Sequence, residues 1–331
     1  MRIAQATVTL SLGLLTMLCA GVFGQEKPER YWVAGRYDGN HIVVYFNKVK
    51  FAGTMTSKAR KIPPPVADAF FNPVELPASY IAGFQKSEDS EHFAIGDRYD
   101  LMLGNGTVAT IKLTTLVGCE TDEYVGNDSF IGALATPERP DRLTFTRGYY
   151  AVRRHREPQS EGVRRRQADY LKFAGLKNEP VRFDLETQIA ALLNQRMKME
   201  ATDAEQRLAG NVAPVLRVQP FQLADGSLRY YVRAEWKSGK ETDSQYPFTL
   251  AAWITPLPTL RILAVEKRTS AGYAIDDGLP DLLNVVDLGA GSTGIIVHVS
   301  YGESIELDLA EYRDGVGIQS MRLMQSLSFG E

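Results

Sequence analysis

The chain has 331 residues, of which 44% are hydrophobic and 23% charged. That is long enough for two ordinary cores and lies outside the disordered and fibrous classes. With a formal net charge of -3 and two cysteines in the whole chain, it is neither a disulfide-built scaffold nor, on electrostatic grounds, a binder of nucleic acid or anionic lipid.

The first 24 residues, "MRIAQATVTLSLGLLTMLCAGVFG", carry Arg2, then an uncharged apolar run from Val8 to Cys19, then small residues. These are the three regions of a secretory signal peptide, with the cut expected after Gly24 and Val22 at the minus-three position. The apolar run is shorter than the roughly 20 residues that span a bilayer. The expectation is therefore a secreted chain, periplasmic or extracellular, that is soluble and keeps no integral membrane segment. Cys119 is then the sole cysteine and no internal disulfide can form.

From Tyr31 the pattern is β. "YWVAGRY" and "HIVVYFNKVKF" flank an Asp-Gly pair and predict a hairpin, with a change of phase between Phe46 and Val49 that predicts a bulge or bend. Residues 52–91, including "IPPPVADAFFNP", read as a long proline-rich packed loop with one helical turn. Strands resume in "RYDLMLG", "TVATIKLTTLVGC", "SFIGALAT" and "RLTFTRGYYAVRRH". Residues 25–156 thus predict an all-β domain, an antiparallel barrel or sandwich. Residues 157–180, which open with "EPQSEGVRRRQ", lose apolar periodicity and read as a charged linker.

Residues 181–331 predict an α+β domain with an antiparallel sheet. Its single long helix starts at Asp184, carries Leu185, Ile189, Leu192, Leu193, Met197, Ala204 and Leu208 at helical spacing, and stops at Gly210. That stripe reads as the helix face packed on a sheet. The strands after it run from "VLRVQPFQL" through "LRYYVRAEW", "PFTLAAWI", "TLRILAVEK", "LLNVVDL", "GIIVHVS" and "SIELDLAEYR" to "IQSMRLMQSL". The fold class is mainly β with one long helix, and no fixed-period repeat points to a propeller or solenoid.

Within "NVVDLGAGSTGIIVHVS", Gly289, Gly291 and Gly294 spell G-x-G-x-x-G. A dinucleotide loop requires a helix after the third glycine, and here "IIVHVS" predicts a strand. The same absence excludes a methyltransferase loop. The phosphate loop of actin-like ATPases does join two strands, but belongs at the start of a large domain. The stretch from Leu279 to Gly315, "LPDLLNVVDLGAGSTGIIVHVSYGESIELDLAEYRDG", resembles one unit of the FG-GAP and related secreted repeats. In that family an Asp-x-Asp-Gly-Asp-Gly loop holds calcium through oxygens at alternate positions. The resemblance implies that Asp287 keeps the first ligand position. Gly289 and Gly291 stand where the next acidic ligands would be, and Gly294 where the loop's closing carboxylate would be. What it implies here is a shape: a strand, a tight glycine turn with Asp287 holding it, and a strand.

The second acidic cluster, "GCETDEYVGNDS", places Glu120, Asp122, Glu123, Asn127 and Asp128 between two strands. It reads as a solvated turn, and Glu120, Asp122, Glu123 and Asp128 are the candidate calcium ligands or paired carboxylates for glycoside hydrolysis. The histidines, His41, His92, His155 and His298, have no zinc spacing, and Cys119 reads as a small buried hydrophobe. Arg153, Arg154, Arg156, Arg164, Arg165 and Arg166 read as a solvated basic run. With no catalytic constellation and no cofactor motif in view, the expectation is an exported non-catalytic module. Its partner would be a protein or a cell-envelope polymer. The alternative is a hydrolase of glycan or peptide that uses the 120–128 carboxylates.

Overall fold

The computed structural model describes residues 30–36, 41–50, 72–76, 81–82, 93–102, 108–120, 128–139, 149–155, 175–177, 180–209, 213–236, 248–268, 279–300 and 304–330. The leader and most of the 157–180 stretch lie outside these residues. Among the described residues no helix is long and apolar enough to cross a membrane.

The first half builds a barrel. Its strands are β1 (Tyr31–Arg36), β2 (Ile42–Lys50), β3 (Asn72–Glu75), β4 (Arg98–Met102), β5 (Val108–Glu120), β6 (Asp128–Pro137) and β7 (Tyr149–Arg154). The order β5-β4-β7-β1-β2-β6, with β6 pairing back onto β5, closes six antiparallel strands into a ring. Strand β3 sits outside the ring on β5, next to the stretch that β4 leaves uncovered. Of the two architectures open from sequence, the barrel is the one formed. β3 falls in the stretch read as loop, because Pro73 disguises a short strand that pairs on one side. The bulge in β2 is at Phe46, where the register with β6 slips between Tyr45 and Asn47.

Period-two alternation sorts the barrel side chains. Trp32 and Ala34, Ile42, Val44 and Phe46, Tyr99 and Leu101, and Tyr150 and Val152 share one buried cluster, the barrel interior. Edge-to-face contacts of Trp32 with Phe93 and Tyr99, centroids 5.5 and 5.8 Å apart, help fill it. The intervening residues, Tyr31, Val33, Val43, Tyr45, Met102, Tyr149 and Ala151, are apolar too and belong to a second cluster. Both faces of these strands are therefore covered.

The second cluster is completed by the second half of the chain. A five-stranded sheet has the order β12-β11-β10-β9-β8, from β8 (Gly175–Leu176), β9 (Val215–Gln222), β10 (Leu228–Trp236), β11 (Phe248–Thr255) and β12 (Arg261–Arg268). A four-stranded meander comes next, β13 (Pro280–Gly289), β14 (Ser292–Ser300), β15 (Ser304–Glu311) and β16 (Arg322–Gly330). One face of the meander, with Val286, Leu288, Ile296, Leu307, Leu309 and Leu327, packs on the barrel. The other face, with Leu282, Val285, Ile295, Val297 and Val299, packs on Phe221, Tyr231, Ala251 and Trp253 of the five-stranded sheet. The far side of that sheet, with Tyr230, Val232, Trp236, Phe248 and Leu250, is covered by Ile189, Leu193 and Met197 of α1 (Phe183–Glu200). The layers run barrel, meander, five-stranded sheet, helix, and Tyr31–Glu331 is one compact unit.

The predicted single helix is two. α1 ends at Glu200 and α2 (Asp203–Ala209) starts after a break at Ala201 and Thr202. Thr202 and Glu205 form a capping box: the Glu205 N–H faces the Thr202 hydroxyl at 3.4 Å, and the Thr202 N–H donates to the Glu205 carboxylate at 2.6 Å. Apolar spacing carries on through the break and hides it. At the other end, Arg182 occupies the cap position with no side-chain capping bond, and Asp184 lies inside the helix, paired with Arg182 at 2.7 Å.

The glycine-rich stretch is the β13–β14 hairpin. Ala290 and Gly291 form its two-residue turn with φ of 53° and 79°, and positive φ at both positions is what the primed hairpin turns require. Gly294 has a different task. A Cβ there would lie 2.9 Å from Val286 and 3.0 Å from Leu288, so its lack of a side chain lets neighbouring strands close up. Ala290 bears a left-handed conformation that costs a residue with a side chain about 1 kcal/mol. Ala290→Asn, which supplies the Asn-Gly pair that this turn favours, should raise stability by about 0.5–1 kcal/mol in urea unfolding; a decrease would contradict this reading of the turn.

Candidate functional site

The polar groups that the fold brings together lie where the barrel meets the β13–β14 turn. Asp100 on β4 and Arg153 on β7 are register partners on the outer, meander-facing side of the barrel, and Tyr31 on β1 is the partner of Arg153 on the other side. Asp100 and Arg153 are buried at 6% and 8% exposure. The Arg153 Nε lies 3.6 Å from Asp100 Oδ2, while His155 Nδ1 is 2.6 Å from Asp100 Oδ1. Asp100 thus fixes the orientation of the imidazole.

The meander contributes the fourth member. Asp287 has no exposed surface. Its Oδ1 accepts the Gly289 N–H at 2.6 Å, which is the turn-holding role its sequence position predicts. Its Oδ2 is buried with no hydrogen-bond partner among the described residues. Burial pushes the Asp287 carboxyl above the ordinary aspartate range, opposed by the Gly289 N–H and by the Arg153 charge. Arg153 reaches this corner over Gly289: its Nη1 is 3.5 Å from where a Cβ at that position would stand. The Tyr31 hydroxyl donates to the Leu288 carbonyl at 2.5 Å, so β1, β4, β7 and β13 all meet here.

The acidic loop predicted as the first place for an ion falls elsewhere. Glu120 ends β5 opposite Asn72, and Asp128 opens β6 opposite Lys50. Pairing of Cys119 with Phe130 brings the two ends of that loop together. Asp122, Glu123 and Asn127 lie outside the described residues. Among the described residues, no group of three or more His, Cys, Asp or Glu side chains is placed to hold a metal ion. His298 is in β14, opposite Asp281 and Leu307.

Arg153 is the main departure from the sequence reading. It belongs to the run taken as solvated, yet it is the buried centre of the cluster. Asp100 drew no notice in sequence. The signal for both is charge inside otherwise apolar strands, "RYDLM" and "YYAVRR", whose neighbours alternate between the barrel interior and the seam.

A second polar group joins the five-stranded sheet to the meander. Arg229 holds Asp314 through two bonds of 3.0 and 2.6 Å, and the Tyr312 hydroxyl donates to the same carboxylate at 2.9 Å. These bonds hold the Asp314 carboxyl below the ordinary range, as expected of a fixed ion pair between the start of β10 and the turn after β15.

Removing the Asp287 acceptor should leave the Gly289 N–H without a partner. Asp287→Ala should therefore lose about 1–2 kcal/mol at neutral pH, whereas Asp287→Asn, which keeps the acceptor and drops the buried charge, should be at least as stable as the parent; urea midpoints of the three chains decide it. Compared with protein-family models, with curated proteins and with solved structures, the chain finds no match in any of the three.

Proposed function

We propose that the protein is an exported, non-catalytic module that binds a partner protein or a cell-envelope polymer through its outer surface. The support is the way its chemistry-bearing side chains are spent. Asp100, Arg153 and His155 pair with one another on the meander-facing side of the barrel, and Asp287 holds the β13–β14 turn. Asn284 donates to the Tyr149 carbonyl at 2.5 Å, and Thr293 accepts from the Ala224 N–H at 2.8 Å. Glu266 accepts from the Ile318 N–H and anchors the short turn before β16. Asn284, Thr293 and Glu266 each join one layer or loop to another.

What is left for a partner faces outward. The observation that carries the reading is Phe183, 84% exposed at the start of α1, the end layer on the side away from the barrel. Met199, 70% exposed, lies near the other end of the same helix. An aromatic ring that leaves water on association gives large contact area for little lost side-chain freedom.

The hydrolase reading draws on the β5–β6 pairing, which gathers the ends of the 120–128 loop at one end of the barrel. One experiment separates the two. Mature chain immobilised and exposed to envelope extract should retain a specific partner, and Phe183→Glu should weaken retention at least tenfold without changing the melting temperature. Turnover of a glycan or peptide substrate that is lost on changing Glu120 and Asp128 to Gln and Asn, with no partner retained, would replace this reading by the hydrolase.

A further inference from the structure

The outer face of α1 is laid out symmetrically about Ala191. Two positions along a helix are about 200° apart, so the exposed Ala191 points away from Leu193, which is buried against the five-stranded sheet. Asp184 and Lys198 are exposed, seven positions to either side, and share the outer stripe with Ala191. Phe183 and Met199 lie eight positions to either side and flank that stripe, 84% and 70% exposed and about 24 Å apart along the axis.

The charges carry the same symmetry. Counting outward from Ala191, Glu186 is matched by Arg196, Asp184 by Lys198 and Arg182 by Glu200, so every charged residue from 182 to 200 has one of opposite sign at equal distance. The helix dipole accounts for acid in the first turn and base in the last. It does not account for Arg182 and Glu200, whose signs are wrong for their ends, nor for Phe183 and Met199 standing in water. Arg182 and Glu200 hold local partners, Asp184 at 2.7 Å and Arg196 at 2.5 Å, but ion pairs in contact with solvent exchange partners at little cost.

An antiparallel pair of identical helices related by a two-fold axis puts each residue opposite the one equally far beyond the crossing point. We propose that a second copy of this chain docks on α1 through such a two-fold contact centred on Ala191. The Phe183 and Asp184 end of each helix then meets the Lys198 and Met199 end of the other, apolar near apolar and carboxylate near ammonium. The small side chain of Ala191 at the axis lets the two backbones approach. Resting on the reading of α1 as the binding face, the contact makes the partner protein a second copy. A contact confined to one helix from each copy is at the small end of specific interfaces, so the dimer is weak and concentration-dependent.

Sedimentation velocity of the purified mature chain from about 5 to 500 μM should show monomer passing into dimer. Ala191→Arg brings two guanidinium groups together at the axis and should weaken the dimer at least about tenfold. Asp184→Lys and Lys198→Asp each set like charges opposite one another and should each weaken it about three- to tenfold. Mixed in equal amounts, those two chains regain both opposite-charge pairs and should recover the parent affinity. All three positions are exposed, so at low concentration the melting temperatures should stay within about 2 °C of the parent. A chain that is monomeric throughout that range, a dimer unmoved by Ala191→Arg, or a mixture of charge variants that associates no better than either alone would overturn the contact. Monomer throughout, together with a Phe183-dependent partner from envelope extract, would overturn the second copy and leave the binding reading standing. A dimer broken by Ala191→Arg, with nothing retained from extract, would uphold the second copy and remove the foreign partner.

Discussion

Every layer of this protein depends on one constraint: the β13–β16 meander is covered on both faces. Antiparallel sheets commonly leave one face to solvent and then alternate apolar with polar residues. This one cannot. Val285, Ile295 and Val297 face the five-stranded sheet while Val286, Leu288 and Ile296 face the barrel, and so β13 and β14 read as nearly unbroken apolar runs. At about 25 cal/mol per square ångström of apolar surface removed from water, a plate buried on both sides joins the two halves of the chain more firmly than any set of surface ion pairs.

Such a plate has few places for polar groups, and those it has become fasteners. Asn284 reaches the barrel at Tyr149, Tyr31 reaches back to Leu288, and Gln219 of the five-stranded sheet donates to the Leu282 carbonyl at 3.0 Å. Asp281 takes Arg233 at 3.0 Å and Arg217 at 3.4 Å. Polar groups of this kind add little net stability when satisfied, and the buried ones cost far more when stranded. Their effect is on register: each one admits a single sliding position of one layer over the next. Asp287 is the exception among them, since one of its oxygens has no hydrogen bond among the described residues.

Much of the fold was legible because each strand is a short run of β-branched and aromatic residues between turn residues. The eight strands from Val215 onward are all present, and so is the Asp287 turn, where local chemistry alone decides the geometry. Barrel against sandwich was not legible, since closure rests on β6 pairing with both β2 and β5, a matter of distant partners. The break at Ala201–Thr202 was written in the sequence as Thr-x-x-Glu, but apolar spacing that runs through it masks the signal. The candidate site was the least legible part. Nothing near Arg153 in sequence says that residues over a hundred positions later will cover it, and only that cover turns a basic run into a buried centre of charge.

One fastener bears on how the chain comes to be folded at all. Beyond Ala34 and Val44 the pairing of β1 with β2 stops, and the gap is spanned by Gln325 of β16. Its carbonyl accepts the Val33 N–H at 2.6 Å, and its amide donates to the carbonyls of Tyr45 and Phe46 at 2.9 and 2.7 Å. The barrel thus precedes both sheets in the chain, yet this rung arrives only with a strand almost 300 positions later. Contacts of such separation form slowly and leave strand edges open meanwhile. A nascent chain of this design stays short of its final state until β16 is made.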